Sequence, residues 1–269
     1  MDKGTVAGIV LSFGGITTGL LLEGGKFSQV LQPTAALIVA GGTIGAVLLQ
    51  FPLSTVISSV IELRTVLFEP RSRASDEIQR LTMLAQKARR DGIISLDAEL
   101  PAIDSPFMRR ALMLAVDGTE STELRAIMQL ELDSSAEAED ELPRVYEAAG
   151  GFSPTIGIIG AVLGLIQVMQ HLDKIDQVGR GIAVAFVATI YGVGFANLIA
   201  LPIAGKLRHR LRLRQILREL TLEGVVSILE GINPRILEAK LTGFLQQARD
   251  RPESDSLSAA QSQSSAGEP

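Results

Sequence analysis

The chain has 269 residues, with 25 Lys and Arg against 30 Asp and Glu and a formal net charge of -5. Hydrophobic residues make up 46%, charged residues only 20%, and mean hydropathy is +0.30, too apolar for an ordinary soluble domain. A sequence pI near 5.2 argues against nucleic acid as a partner. The absence of cysteine excludes a disulfide framework, an iron–sulfur cluster and a thiolate zinc site. His171 and His209 leave little for a histidine metal site, so neither metal nor cofactor is expected.

The apolar residues gather in four blocks, at about 4–22, 34–53, 152–170 and 181–205. Each is long enough to cross roughly 30 Å of hydrocarbon at about 1.5 Å per residue. The first lacks the basic n-region and small-residue cleavage site of a signal peptide, and a second span follows soon after, so it reads as a retained helix. The second block continues as helix past Pro52. Pairs such as Gly4 and Gly8, Gly15 and Gly19, Gly41 and Gly45, and Gly160 and Gly164 let helices approach closely in lipid.

Basic residues set the orientation. Residues 62–149 hold eleven Lys or Arg and residues 206–218 hold six, with Arg64, Arg71, Arg73 and Lys206 next to the spans. By the positive-inside tendency both termini are cytoplasmic. The expected fold is all-α: a polytopic membrane protein with four transmembrane helices and a helical cytoplasmic domain between the second and third. Its expected parts are a hairpin over 1–61, a cytoplasmic domain over 62–150 and a second hairpin over 151–205. Cytoplasmic helices over 206–248 and a disordered tail over 249–269 complete it. The alternating segment 206–214 (KLRHRLRLR) is read as a helix whose basic residues meet lipid headgroups.

The spans contain no Asp, Glu, Lys or Arg in their interiors. Ion carriers usually need an ionisable group in the membrane. Either the chain conducts nothing, or a partner brings the carboxylate. Only neutral polar groups such as Thr17, Thr18, Thr43, Thr155, Thr189, Tyr191 and Asn197 are at hand. Pro154 and Pro202 mark kinks at comparable depth in the third and fourth spans, or, for Pro154, the first turn of its helix, where proline costs nothing.

In the cytoplasmic part, Ser75 to Arg90 reads as an amphipathic helix capped by Ser75 and stopped by Gly92. Ser105-Pro106 opens a second helix that ends at Asp117-Gly118. A third runs from about Thr122, with Leu124, Ile127, Met128 and Leu132 on one face, into the acidic run 137–141. Asn233-Pro234 opens the last. Two charge clusters, Lys87 with Arg89 and Arg90, and Asp97 with Glu99, are suited to orienting a charged partner or form a solvated face.

Several stretches resemble the MotA family of flagellar stator subunits, within the wider MotA/TolQ/ExbB ion-channel group. They are Arg89 to Asp97 (RRDGIISLD), Ala148 to Leu165 (AAGGFSPTIGIIGAVLGL), Gly181 to Asn197 (GIAVAFVATIYGVGFAN) and Glu230 to Leu245 (EGINPRILEAKLTGFL). The resemblance implies an inner-membrane stator subunit in a homo-oligomeric ring, a pentamer, around a MotB-like single-span partner whose aspartate carries the ion. It also implies contact with the rotor protein FliG and no enzyme activity. Pro154 and Pro202 fall at the family's coupling prolines. Arg89 and Asp97 fall at its rotor-contact positions, with Arg90 and Glu99 placed to share those roles. Sodium-driven relatives have Thr at the positions of Ala161 and Thr189; this chain keeps only the second, which favours protons. The alternatives are an ExbB/TolQ-like energiser of outer-membrane processes and a non-conducting membrane scaffold.

Overall fold

The computed structural model describes residues 3–67, 74–172 and 175–247. The expectations for Arg71 and Arg73, and for the tail 249–269, lie outside those residues. All regular structure among the described residues is helical. The helices are α1 (Lys3–Leu22), the short α2 (Phe27–Val30), α3 (Pro33–Gln50), α4 (Leu53–Leu67), α5 (Ala74–Asp91), α6 (Pro106–Val116), α7 (Ser121–Gln170), α8 (Ile175–Phe195), α9 (Leu201–Leu229) and α10 (234–247). A 3-10 helix over Ile93–Ala102 separates α5 from α6, and a π-helical turn over Ala196–Ala200 joins α8 to α9. Four helical stretches are long and apolar enough to span a membrane, within α1, α3, α7 and α8 to α9.

The described residues form two compact units, 3–67 with 138–211, and 74–137 with 212–247. The first carries all four apolar stretches. Its α3 packs on α8 through Ala35 and Val39 against Val187 and Ala188. Tyr191 adds a tie, donating its hydroxyl to the Val30 carbonyl at 2.6 Å. Farther along, Val47 meets Val145, Ala149 and Ala200, and Leu63 meets Leu207 and Leu211. Tyr146 donates to the Ser59 carbonyl at 3.1 Å and fastens α4 to α7.

The second block does not continue unbroken past Pro52. Helix α3 stops at Gln50, Phe51 is extended (φ -119, ψ 145), and α4 restarts at Leu53. The proline ring forces the preceding residue out of the helical region, while proline itself suits the start of the next helix.

Residue spacing explains the π-turn. Gly192, Ala196, Ala200 and Ala204 are all buried along one face. Twelve residues of ideal α-helix would rotate that face by about 120°. A π-turn takes up roughly one extra residue and keeps all four positions inward.

The second unit has its own core. Leu81 and Leu84 of α5, Met108 and Leu112 of α6, Leu124 and Met128 of α7, Leu220 and Val225 of α9, and Leu237 and Leu241 of α10 form one buried cluster. Leu81 sits so close to Gly224 that a Cβ there would lie 2.6 Å from it. The ends of α6 fall where local signals place them: the Ser105 hydroxyl accepts from the Met108 N–H at 3.3 Å, and Gly118 adopts φ +85. The Asn233 side chain likewise accepts from the Arg235 N–H at 3.0 Å to open α10. Ser75 is not a cap. It lies inside α5, which begins at Ala74.

Candidate functional site

The membrane unit and the second unit each hold part of the candidate site. In the membrane unit, α7 and α8 run antiparallel with almost no space between their backbones. A Cβ on Gly164 would lie 2.8 Å from the Gly181 carbonyl, and one on Gly157 2.8 Å from the Ala188 carbonyl. Gly160 faces Ala188 just as closely, and Gly192 lies against the Ser153 main chain. The buried Ser153 hydroxyl donates to the Gly192 carbonyl at 3.0 Å, a hydrogen bond between spans where water is scarce.

This seam orders the sequence-predicted residues. Pro154 follows Ser153 and Ala161 follows Gly160; on the facing helix Thr189 follows Ala188 and Val193 follows Gly192. In an antiparallel pair, a step of one residue beyond each contact turns both helices toward the same side of the seam. Pro154 and Ala161 therefore share one side with Thr189, Val193 and, four residues on, Asn197. The Thr189 hydroxyl is half-buried and donates to the Ala185 carbonyl at 3.3 Å, leaving its oxygen free to accept. The Asn197 amide donates to the Val193 carbonyl at 2.9 Å.

Pro154 is not in a first turn. It lies deep within α7, which runs without interruption through Pro143 as well. As a mid-helix proline it withholds the N–H that the Gly150 carbonyl would accept. Gly150 in turn touches Leu201, the residue before Pro202, at 2.9 Å from a built Cβ. The two prolines are thus brought to neighbouring turns of the facing helices. Pro202 opens α9 directly after the π-turn.

In the second unit, the four charged candidates divide into two classes. Lys87 pairs with Glu99 across the Gly92 turn. Arg90 pairs with its neighbour Asp91 at 2.8 Å. The hydrogen bond from Arg90 holds the Asp91 carboxyl below the usual carboxylate range, and Asp91 raises the Arg90 guanidinium in return. Arg89 and Asp97 are exposed and enter no ion pair among the described residues. Gly92, at φ +86, reverses the chain between them, and the Ser95 hydroxyl closes that turn on the Gly92 carbonyl at 2.6 Å. Leu96, fully buried, anchors the 3-10 helix so that Asp97 and Glu99 project from a fixed segment. Arg109 secures the segment's far end by donating to the Ile103 carbonyl at 3.2 Å.

Sequence reading missed Ser153 and Gly192, whose contact sets the seam, and Lys87 as the residue that occupies Glu99. The first pair carries only the weak signal of small residues beside a proline. The second depends on the path of the chain through the 3-10 helix.

Comparisons with known proteins show the family and the fold. Residues 99–219 match the family model described as MotA/TolQ/ExbB proton channel family, and residues 6–92 match that of the motility protein A N-terminal region. Motility protein A of Bacillus subtilis (strain 168) is 37% identical over 253 residues, covering 93% of both chains. The chain belongs to the MotA/TolQ/ExbB proton channel family. Two solved structures share its fold. The C. jejuni MotAB structure matches with a TM-score of 0.85 at 31% identity, covering 91% of this chain and 96% of that one. The flagellar MotAB stator complex from Bacillus subtilis matches with a TM-score of 0.81 at 36% identity, covering 94% and 99%. Membership of this family makes the four apolar stretches membrane spans of a multi-pass protein. The match over residues 6–92 to a motility protein A segment also favours the stator branch over the ExbB/TolQ branch.

Proposed function

We propose that the chain is the multi-pass subunit of a proton-driven flagellar stator. It assembles as a ring of five around two copies of a MotB-like single-span partner, and both its termini are cytoplasmic. The observation that carries this reading is the chemistry of the α7–α8 seam. Pro154, Ala161, Thr189 and Asn197 line one side of it, and none of them can carry a proton as an acid. A carboxylate from the partner is the missing element, and the seam presents it with small and hydroxyl-bearing neighbours.

Proton passage past that carboxylate alters the packing of α7 on α8 near Pro154 and Pro202. The exposed charges Arg89 and Asp97 then act on the rotor protein FliG. Ala161 supports protons over sodium, since a second hydroxyl at that position would supply an oxygen ligand for Na⁺. The basic residues at Arg64 and 206–218 support cytoplasmic ends, through anionic lipid headgroups on that face.

The test is ion flux in liposomes holding this chain and its partner, the partner trimmed of any segment that plugs the channel. Proton flux is expected from the pair, absent from either chain alone and abolished when the partner's membrane aspartate becomes asparagine. Flux that follows Na⁺ instead would overturn the ion choice. A stable complex that passes neither ion would leave a scaffold.

A further inference from the structure

The π-turn leaves one main-chain oxygen of the fourth span without a donor. Leu201 donates its N–H to the Ala196 carbonyl, five residues back instead of four. The Asn197 carbonyl thereby loses its α-helical donor. Its π-helical donor would be the N–H of residue 202, and Pro202 has none. No side chain among the described residues donates to it either. A carbonyl left open at membrane depth is costly unless some molecule satisfies it.

The Asn197 side chain compounds the demand. Its amide nitrogen is committed to the Val193 carbonyl, which leaves the side-chain oxygen as a second acceptor on the same residue. Asn197 is exposed on the single chain and lies on the same side of the seam as Thr189 and Ala161. One amide N–H remains beside two open acceptors, and two acceptors call for a molecule that can give two protons. Water gives two, a hydroxyl side chain one, and a lipid tail none.

We propose that the Asn197 main-chain carbonyl is a water-binding site, held open by the π-turn and by the missing N–H of Pro202. That this water lies on the ion path rests on the stator reading above. Pro202 then has a chemical role besides bending the helix: it keeps an acceptor available where a passing proton needs one.

The chain offers a clean probe. Asparagine occurs only at 197 and 233, followed by Leu198 and Pro234. Labelling with carbonyl-13C asparagine and 15N leucine therefore singles out the Asn197 carbonyl in the unmodified sequence. In the full complex with its partner in lipid bilayers, magic-angle-spinning NMR is expected to show magnetisation passing from water to that carbonyl. The Pro202→Ala chain, which regains an N–H, is expected to lose the transfer and to shift the signal toward that of an ordinary helical carbonyl. A helical, hydrogen-bonded signal with no transfer from water in the unmodified chain would overturn the site, because a neighbouring chain would then be the donor. Persistence of the transfer in Pro202→Ala would overturn the role given to the proline. Proton flux from the same preparation separates the two readings. Flux without water at Asn197 sinks this site and leaves the stator; water at Asn197 without flux sinks the ion path.

Discussion

At the scale of single residues, pairing decides which charges are free to act. Glu99 is bound to Lys87 and Arg90 to Asp91, so a partner reaching for either must first break an ion pair. Arg89 and Asp97 carry no such commitment. Reversal at Arg89 (Arg89→Glu) or Asp97 (Asp97→Lys) is therefore expected to reduce swimming severely while leaving the complex intact. Glu99→Gln is expected to reduce it far less. Soft-agar spreading and tethered-cell rotation read the difference, and equal defects at Asp97 and Glu99 would refute this division of labour. A second residue-scale outcome concerns Glu223. Burial raises its carboxyl, but hydrogen bonds from Lys240 and Arg125 outweigh that and hold it below the ordinary glutamate value of 4.5. A depressed folded-state pKa contributes stability that is present above the unfolded value and lost as pH falls through the folded one. Hydrogen bonds to charged groups with partly exposed partners are worth about 1–2 kcal/mol here. Glu223→Gln should lower the unfolding temperature at neutral pH, and its stability should fall less steeply than the wild type's below pH 4.5. Parallel acid curves for the two proteins would remove Glu223 from the account.

At the scale of elements, the α7–α8 seam makes a sharp contrast between glycines on one helix. A Cβ at Gly192 would meet the Ser153 main chain, whereas one at Gly194 meets nothing within 4 Å. Overpacking of a tight contact costs typically about 1–3 kcal/mol. Gly192→Ala is expected to lower the thermal stability of the complex and to impair motility, and Gly194→Ala to do neither. Equal tolerance at both positions would show that the helices separate freely. The same elements mark how far the sequence could be read. Helix α6 was legible to the residue because Ser105-Pro106 and Asp117-Gly118 are local signals that no tertiary contact opposes. The four apolar stretches were legible because length and composition alone define them. The continuity of α7 through Pro143 was not, since proline is a breaker in isolation and is tolerated here where Leu142, Val145 and Tyr146 are held by packing. Nor was the π-turn, which answers to the need to keep Gly192 and Ala204 on one face. The 3-10 helix, and with it the choice between Asp97 and Glu99, depends on Lys87 reaching across a turn that sequence spacing does not reveal.

At the scale of the whole molecule, α1 is the telling element. The apolar window of α1 is 0% buried within the chain, against 22% for that of α3 and 28% for those of α7 and of α8 to α9. Gly8, Ser12, Gly15 and Gly19 recur at four-, three- and four-residue steps, which places them on one face. Beyond the adjoining residues and backbone of α1 itself, no atom among the described residues comes within 4 Å of a Cβ built on Gly8, Gly15 or Gly19. Lipid tails gain nothing from such a groove, since they pack as well against Leu or Ile. A neighbouring helix gains close backbone approach, the main source of association in a medium without hydrophobic drive. The face is therefore suited to pack against a helix of another chain in the assembly. Gly15→Ile should leave the single chain folded, as nothing in it touches that position, and yet cut the fraction of full-size complex recovered with the partner. Native mass spectrometry of the detergent-extracted complex measures both. A full-size complex in undiminished yield would place the stripe in lipid and leave the assembly to be held by α3, α7 and α8 alone.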